Sequence, residues 1–176
     1  MHIKLLTKYY FINNLDTNNL QKQDKETIII FRNYSSSNIK IDKLIKLKNF
    51  LRKRGNKFFL ANNFKLALKL GLDGVYIPSF NKNFNHLAYS TFLNFAVVGS
   101  AHNLREIRIK ENQNVEEIFI SSLFKKNKNF LGLNKFKLIS NLTKKKIVAL
   151  GGISRKNQRK LYLLNKADFA GISYFE

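Results

Sequence analysis

Two adjacent glycines follow an apolar run in Ile147-Val-Ala-Leu-Gly-Gly-Ile153, and Ser154 opens the next segment. A Gly-Gly step at a strand end lets an anion approach backbone N–H groups with no Cβ in the way, and a helix beginning there adds free donors and a positive dipole end. Such a pair is a plain turn in many proteins; here Gly151 and Gly152 are read as a phosphate site. Arg32 ends a β-branched run, Thr27–Phe31, where a guanidinium can grip a carboxylate or phosphate through two parallel hydrogen bonds. Its alternative is an ordinary surface arginine. In Val97-Val-Gly-Ser-Ala-His-Asn-Leu104, Ser100 and His102 bring a hydroxyl and an imidazole to a strand end, suited to binding or to moving a proton. The competing reading makes Ser100 or Asn103 a helix cap and places His102 in that helix's first turn. Cysteine is absent, and His2, His86 and His102 lie far apart, which excludes disulfides, thiolate metal sites and a local zinc motif.

These groups need a scaffold, and the sequence supplies an alternation of short β-branched or aromatic runs with longer amphipathic stretches. Strands are expected near Tyr9–Ile12, Thr27–Phe31, Lys57–Leu60, Gly74–Ile77, Ala96–Val98, Glu117–Ile120, Ile147–Leu150 and Phe169–Ser173. Helical spacing appears at Ile41, Leu44, Ile45, Leu47, Lys48 and Leu51, at Phe64, Leu66, Ala67, Leu68 and Leu70, and at Leu161, Leu163 and Leu164. The strands read as continuous apolar runs, as strands buried on both faces do. A weak repeat relates Leu68-Lys-Leu-Gly-Leu-Asp-Gly-Val-Tyr-Ile77 to Leu163-Leu-Asn-Lys-Ala-Asp-Phe-Ala-Gly-Ile172. It places Gly71 at a left-handed helix stop and gives Asp73 and Asp168 structural roles at strand beginnings.

Eight such units predict an α/β fold, a (β/α)₈ TIM barrel. It is shortened, because barrels of this kind rarely fall below about 200 residues. The segment from Pro78 to Asn94 has room for only a ragged helix, and the chain reaches Glu176 straight after the eighth strand, so the closing helix is expected to be missing. An open doubly wound sheet is the competing architecture.

With 176 residues and 44% hydrophobic composition, including 16 Phe and 7 Tyr, residues 1–176 are expected to form one domain with a sizeable core. The 32 Lys and Arg against 11 Asp and Glu give a net charge of +21. Lysine is spread over nearly every element and accompanies heavy use of Asn, Ile and Phe, the look of a composition drifted toward AT-rich codons. The lysine clusters are short, Lys125, Lys126 and Lys128 in one stretch and Lys144–Lys146 leading into a strand, so no dedicated nucleic-acid partner is expected. No apolar run approaches the roughly 18 residues of a membrane span, and Met1–Phe11 lacks a signal-peptide pattern. A cytoplasmic protein without a membrane partner is expected.

At these residues the chain resembles the thiamine phosphate synthases and their relatives, the TenI-type thiazole tautomerases, from about Tyr9 to the end. The stretches that carry the resemblance are Ala67–Ile77, Ser100-Ala-His-Asn-Leu-Arg-Glu106, Ile118-Phe-Ile-Ser-Ser-Leu-Phe124, Leu131-Gly-Leu133 and Ile147–Ile153, in matching order and spacing. The resemblance implies a barrel that joins hydroxymethylpyrimidine diphosphate to thiazole phosphate with loss of pyrophosphate, using Mg²⁺. It implies that Gly151 and Gly152, with Ile172 and Ser173 on the last strand, hold the thiazole phosphate. It further implies that Arg32 grips the diphosphate, that Ser100 belongs to the pyrimidine site, and that the loop with Lys126 and Lys128 replaces a Thr-x-Thr-Lys segment.

The departures are specific. The family's Gln-Leu-Arg-x-Lys motif stands here as Ile30-Phe-Arg32-Asn-Tyr34, and the carboxylates expected to hold Mg²⁺ correspond to Asn62 and about Asn81. Magnesium favours carboxylates and phosphates over neutral amides. The expectations are therefore a divergent synthase or a metal-independent tautomerase with His102 as acid/base. A non-catalytic binder of a phosphorylated thiamine precursor is a third. A barrel without its closing helix would expose apolar surface that a second copy could cover.

Overall fold

The computed structural model describes residues 6–15, 17–34, 40–164 and 167–176; His2 lies outside them. The described residues form eight strands: β1 (Lys8–Ile12), β2 (Thr27–Phe31), β3 (Phe58–Ala61), β4 (Gly74–Ile77), β5 (Ala96–Ala101), β6 (Glu117–Ile120), β7 (Lys146–Leu150) and β8 (Asp168–Gly171). They close in sequence order into a barrel, and every pairing is parallel. The seam is β1 against β8, with Lys8 opposite Phe169 and Tyr10 opposite Gly171. Closure leaves no sheet edge, which rules out the open doubly wound sheet.

Side chains alternate between two cores, and this explains the unbroken apolar runs. Tyr9, Phe11, Ile30, Phe59, Tyr76, Val98, Phe119, Val148 and Ala170 fill the barrel interior, with Phe11 against Tyr76 and Tyr9 against Phe119 edge to face at 5.1 and 4.8 Å. Their strand neighbours Tyr10, Ile29, Phe31, Phe58, Leu60, Val75 and Ile77 face outward into a second core with the helices. Gly74 makes room for this interior: a Cβ there would lie 2.9 Å from the Phe59 ring and 2.5 Å from the Ala96 carbonyl.

Among the described residues four α-helices cover the outside: α1 (Ile41–Arg54), α2 (Phe64–Lys69), α3 (Leu104–Asn112) and α4 (Gly132–Ser140). The apolar stripe of α1 buries Leu44, Leu47 and Leu51, and Gly55 stops the helix at φ 80° with its N–H on the carbonyls of Leu51 and Arg52. Asn63 caps α2 and Asn103 caps α3 through side-chain oxygens that accept from Leu66 and Glu106. At the lower end of the barrel Asp73 accepts the Phe58 N–H at 2.8 Å. Asp168 accepts the Thr7 N–H at 2.8 Å and pairs with Lys146 at 2.7 Å, and Lys146 also reaches Glu117.

The elements differ from the sequence expectation in four places. β5 runs on through Ala101, so Ser100 lies inside the strand and not after it. β8 stops at Gly171, so Ile172 and Ser173 lie in the turn that follows, where the Phe175 N–H returns to the Ile172 carbonyl. The helical stretch at Leu161–Leu164 is a 3₁₀ helix, Gln158–Leu164, and Pro78–Asn94 holds only a short 3₁₀ turn at Asn85–Ala88. Among the described residues no helix is long and apolar enough to cross a membrane.

Candidate functional site

Parallel strands end together, so one mouth of the barrel gathers the residues that follow each strand: Asn13, Arg32, Asn62, Asn81, His102 and the Gly151–Gly152 pair among them. Arg32, one residue past β2, donates its N–H to the Ile12 carbonyl at 2.8 Å, and its Nε donates to Asn13 Oδ1 at 3.4 Å. Its guanidinium carbon stands 5.1 Å from the centre of the Phe11 ring, the upper layer of the interior core. Tyr76 completes this layer. Burial pushes its phenol up to about 12, while a hydrogen bond between Ser100 and Tyr76 and the nearby charge of Arg32 act the other way. Tyr34, half exposed, adds a lip to the mouth with its ring 5.2 Å from Phe80, edge to face; partial cover of its phenol, then the nearby Tyr76, raise it above its ordinary value while Arg32 acts the other way. Arg32, Ser100, Tyr76 and Tyr34 thus form one neighbourhood, although only two of them were singled out from sequence as site residues.

After β3 and β4 the mouth is lined by amides. Asn62 holds the left-handed region at φ 58°, a conformation that asparagine tolerates, and its N–H donates to the Tyr76 carbonyl at 2.8 Å. Asn81 Nδ2 donates to Asn62 Oδ1 at 2.7 Å. The two positions that resemblance would give to metal ligands therefore satisfy each other. Beside them lies a cavity of about 220 Å³ lined by Asn62, Asn81, Asn83, Phe64 and His86. Among the described residues no three His, Cys, Asp or Glu side chains gather closely enough to hold a metal ion. A neutral amide pair does not fit a hard dication.

The glycine pair after β7 is locked to the loop after β6. The Gly151 carbonyl accepts from the N–H groups of Phe124 and Lys125 at 2.8 and 3.2 Å, and the Leu150 carbonyl accepts from Leu123 at 2.9 Å. Both glycines are left-handed, at φ 101° and 76°. A Cβ on Gly151 would meet Ser122 Oγ at 2.6 Å, and one on Gly152 the Lys125 nitrogen at 2.5 Å. Their absent side chains thus let the lysine loop close down on the strand end. Lys126 and Lys128 are exposed on that loop, Ser173 is exposed, and Ile172 packs against the interior core.

His102 precedes α3. Its Nδ1 lies 3.0 Å from Glu106 Oε2, and its N–H donates to the same oxygen at 2.8 Å. With Asn103 accepting the Glu106 N–H at 2.9 Å this forms a reciprocal cap, so the histidine is seated at the helix entry. Sequence reading missed Tyr76, hidden as one of many apolar strand residues, and it missed a buried lysine, Lys110. Two signals for that lysine were present: it falls on the apolar stripe of α3, three residues from Ile107, and Gly99 interrupts β5 where a close approach is needed.

The closed parallel barrel with its polar mouth places the molecule among the (β/α)₈ proteins, whose sites lie at the C-terminal strand ends. Within that class the chain belongs to the thiamine monophosphate synthase family, whose model matches residues 16–175. It is 25% identical to a thiamine-phosphate synthase of Methanococcus vannielii over 124 residues, 66% of this chain and 58% of that protein. It is 32% identical to a thiamine-phosphate synthase of Pelagibacter ubique over 142 residues, 76% of this chain and 67% of that protein. A thiamine phosphate pyrophosphorylase from Pyrococcus furiosus shares the fold with a TM-score of 0.74 at 22% identity, covering 95% of this chain and 86% of that one.

Proposed function

We propose that the chain acts in thiamine biosynthesis as a divergent thiamine phosphate synthase. It holds thiazole phosphate on the Gly151–Gly152 side of the mouth and hydroxymethylpyrimidine diphosphate on the Arg32 side. The observation that carries this reading is the placement of Arg32 and the glycine pair at the same mouth, in a chain of this family. In the reaction a bond forms between the thiazole nitrogen and the pyrimidine methylene carbon while the bond from that carbon to the diphosphate oxygen breaks. Arg32 would neutralise charge on the departing pyrophosphate through bidentate hydrogen bonds. Lys126 and Lys128, exposed on the loop that the glycines seat, would close over the phosphates. Ser100, bonded to Tyr76, would line the pyrimidine position.

A second reading, a tautomerase or binder of thiazole phosphate that needs no metal, is favoured by the Asn62–Asn81 hydrogen bond at 2.7 Å. In it His102, oriented by Glu106, would move the proton. Incubating the full chain with both substrates and assaying thiamine phosphate by chromatography, with Mg²⁺ and with a chelator, separates the two. Product formation supports the synthase. Thiazole phosphate isomerisation without coupling supports the second reading.

A further inference from the structure

Behind the Asn62–Asn81 pair lies a charged group that neither reading uses. Lys110 on α3 is fully buried, and its Nζ donates to the carbonyls of Pro78 at 2.9 Å and Asn81 at 2.8 Å and to Gln113 Oε1 at 2.7 Å. All three ammonium protons are engaged. Gln113 is equally buried; its Nε2 donates to the carbonyls of Asn81 and Asn83 at 3.1 and 2.7 Å, and its backbone carbonyl lies 2.8 Å from His86 Nε2. A carbonyl only accepts, so that His86 nitrogen carries a proton. Two side chains of one helix region thus hold the loop after β4 by three of its backbone carbonyls.

The neighbouring strand is cut to fit. A Cβ on Gly99 would lie 2.8 Å from Lys110 Cδ and 3.1 Å from the Ile77 carbonyl. An apolar side chain at position 110 would fill this stripe without the desolvation cost of a cation. What an apolar residue would not do is hold Pro78 and Asn81.

We propose that Lys110 is a positioning residue for the mouth: its ammonium, clamped on the carbonyls of Pro78 and Asn81, fixes the loop after β4 so that the Asn81 side chain is set against Asn62. The internal cation thus holds the β4 side of the site in shape. The inference rests on the proposed function only in taking this pair as part of the ligand mouth.

The groups facing Lys110 are few. Glu106, one turn earlier on α3, favours the charged form, but burial outweighs it and brings the ammonium down to about 8. His86 is linked to it through Gln113, whose backbone carbonyl faces the imidazole and whose side chain faces the ammonium, and Gly99 on β5 faces its Cδ. A neutral amine has two protons for three acceptors, so deprotonation slackens the clamp.

The test needs no ligand, so its failure is distinguishable from failure of the synthase reading. Carbon-detected NMR of the full chain follows Lys110 Cε and the side-chain Cγ of Asn62 and Asn81 from about pH 6 to about pH 10, across the range of a buried lysine. The expected result is that both asparagine resonances move with the midpoint of Lys110, and that Lys110→Met abolishes the movement and fixes them at their high-pH positions. Asparagine shifts that ignore the Lys110 titration would overturn the proposal. Should Lys110→Met fail to fold, the wild-type titration decides alone.

Discussion

Asn81 Nδ2 donates to Asn62 Oδ1 at 2.7 Å, joining the loops after β3 and β4 through two neutral side chains. The bond takes one lone pair of the Asn62 carbonyl, and the pair carries no charge to offset a dication's loss of hydration. Replacing both residues, Asn62→Asp with Asn81→Asp, removes the donor and sets two carboxylates face to face. The double variant is expected to lose about 1–2 kcal/mol of stability without metal. It should recover on adding Mg²⁺, by about 2.7 kcal/mol at a hundredfold excess over its Kd. Thermal unfolding with MgCl₂ and with a chelator checks this, and the wild-type midpoint should not respond.

The glycine pair gives a second prediction. Gly151→Ala and Gly152→Ala each combine a left-handed φ with a Cβ less than 3.0 Å from the loop after β6. Each is expected to cost about 1–3 kcal/mol in urea unfolding and to weaken thiazole phosphate binding by displacing Ser122–Lys125. Gly171→Ala, whose nearest neighbour would be the Ile153 carbonyl at 3.6 Å, should stay within about 0.5 kcal/mol of wild type.

Why these features were or were not readable in the sequence follows from the range of the forces involved. The eight strands were legible because alternate residues face two apolar cores, so Thr27–Phe31 or Gly74–Ile77 reads as an unbroken run. Arg32 and the glycines were legible because a strand end is a local feature. The ends of β5 and β8 were misplaced because Ser100 and Ile172 have the same local character inside or outside a ladder, and pairing with a distant strand decides. Lys110 was illegible as a site residue because its partners, Pro78 and Asn81, lie about thirty positions away and offer backbone carbonyls, which no side-chain pattern announces.

Alkaline pH should destabilise the fold through the barrel interior. Burial pushes the Tyr76 phenol from 10.0 up to about 12. Burial, then Glu117, pushes Tyr9 higher still. A group raised in the folded state keeps its proton where the unfolded chain has lost it. Its contribution is complete below about pH 10 and is lost as pH rises through the folded value. Lys146 adds the same sign from higher pH: burial alone would lower its ammonium, but hydrogen bonds to Asp168 and Glu117 raise it above 10.5. Lys110, brought down from 10.5 to about 8, works in reverse, and its contribution grows between those values. Urea unfolding against pH should show a smaller decline above pH 10 in Tyr76→Phe than in wild type, and no gain between about pH 8 and 10.5 in Lys110→Met relative to wild type.

Arg32→Gln tests the diphosphate side. The guanidinium stands on Phe11 and bonds to Asn13 at the rim of the mouth, so stability should change by less than about 1 kcal/mol. Loss of charge-assisted hydrogen bonds, about 1.5–3 kcal/mol, should weaken hydroxymethylpyrimidine diphosphate binding by roughly 10–100-fold and leave thiazole phosphate binding nearly unchanged. Parallel calorimetric titrations of the two ligands read both effects.

The most direct test of the account is calorimetric titration of the wild-type chain with thiazole phosphate and with hydroxymethylpyrimidine diphosphate, each with Mg²⁺ and with a chelator. Both ligands are expected to bind, with affinities indifferent to Mg²⁺. Diphosphate binding that requires Mg²⁺ would contradict the amide-filled metal position, and no binding of thiazole phosphate would contradict the phosphate site at Gly151 and Gly152.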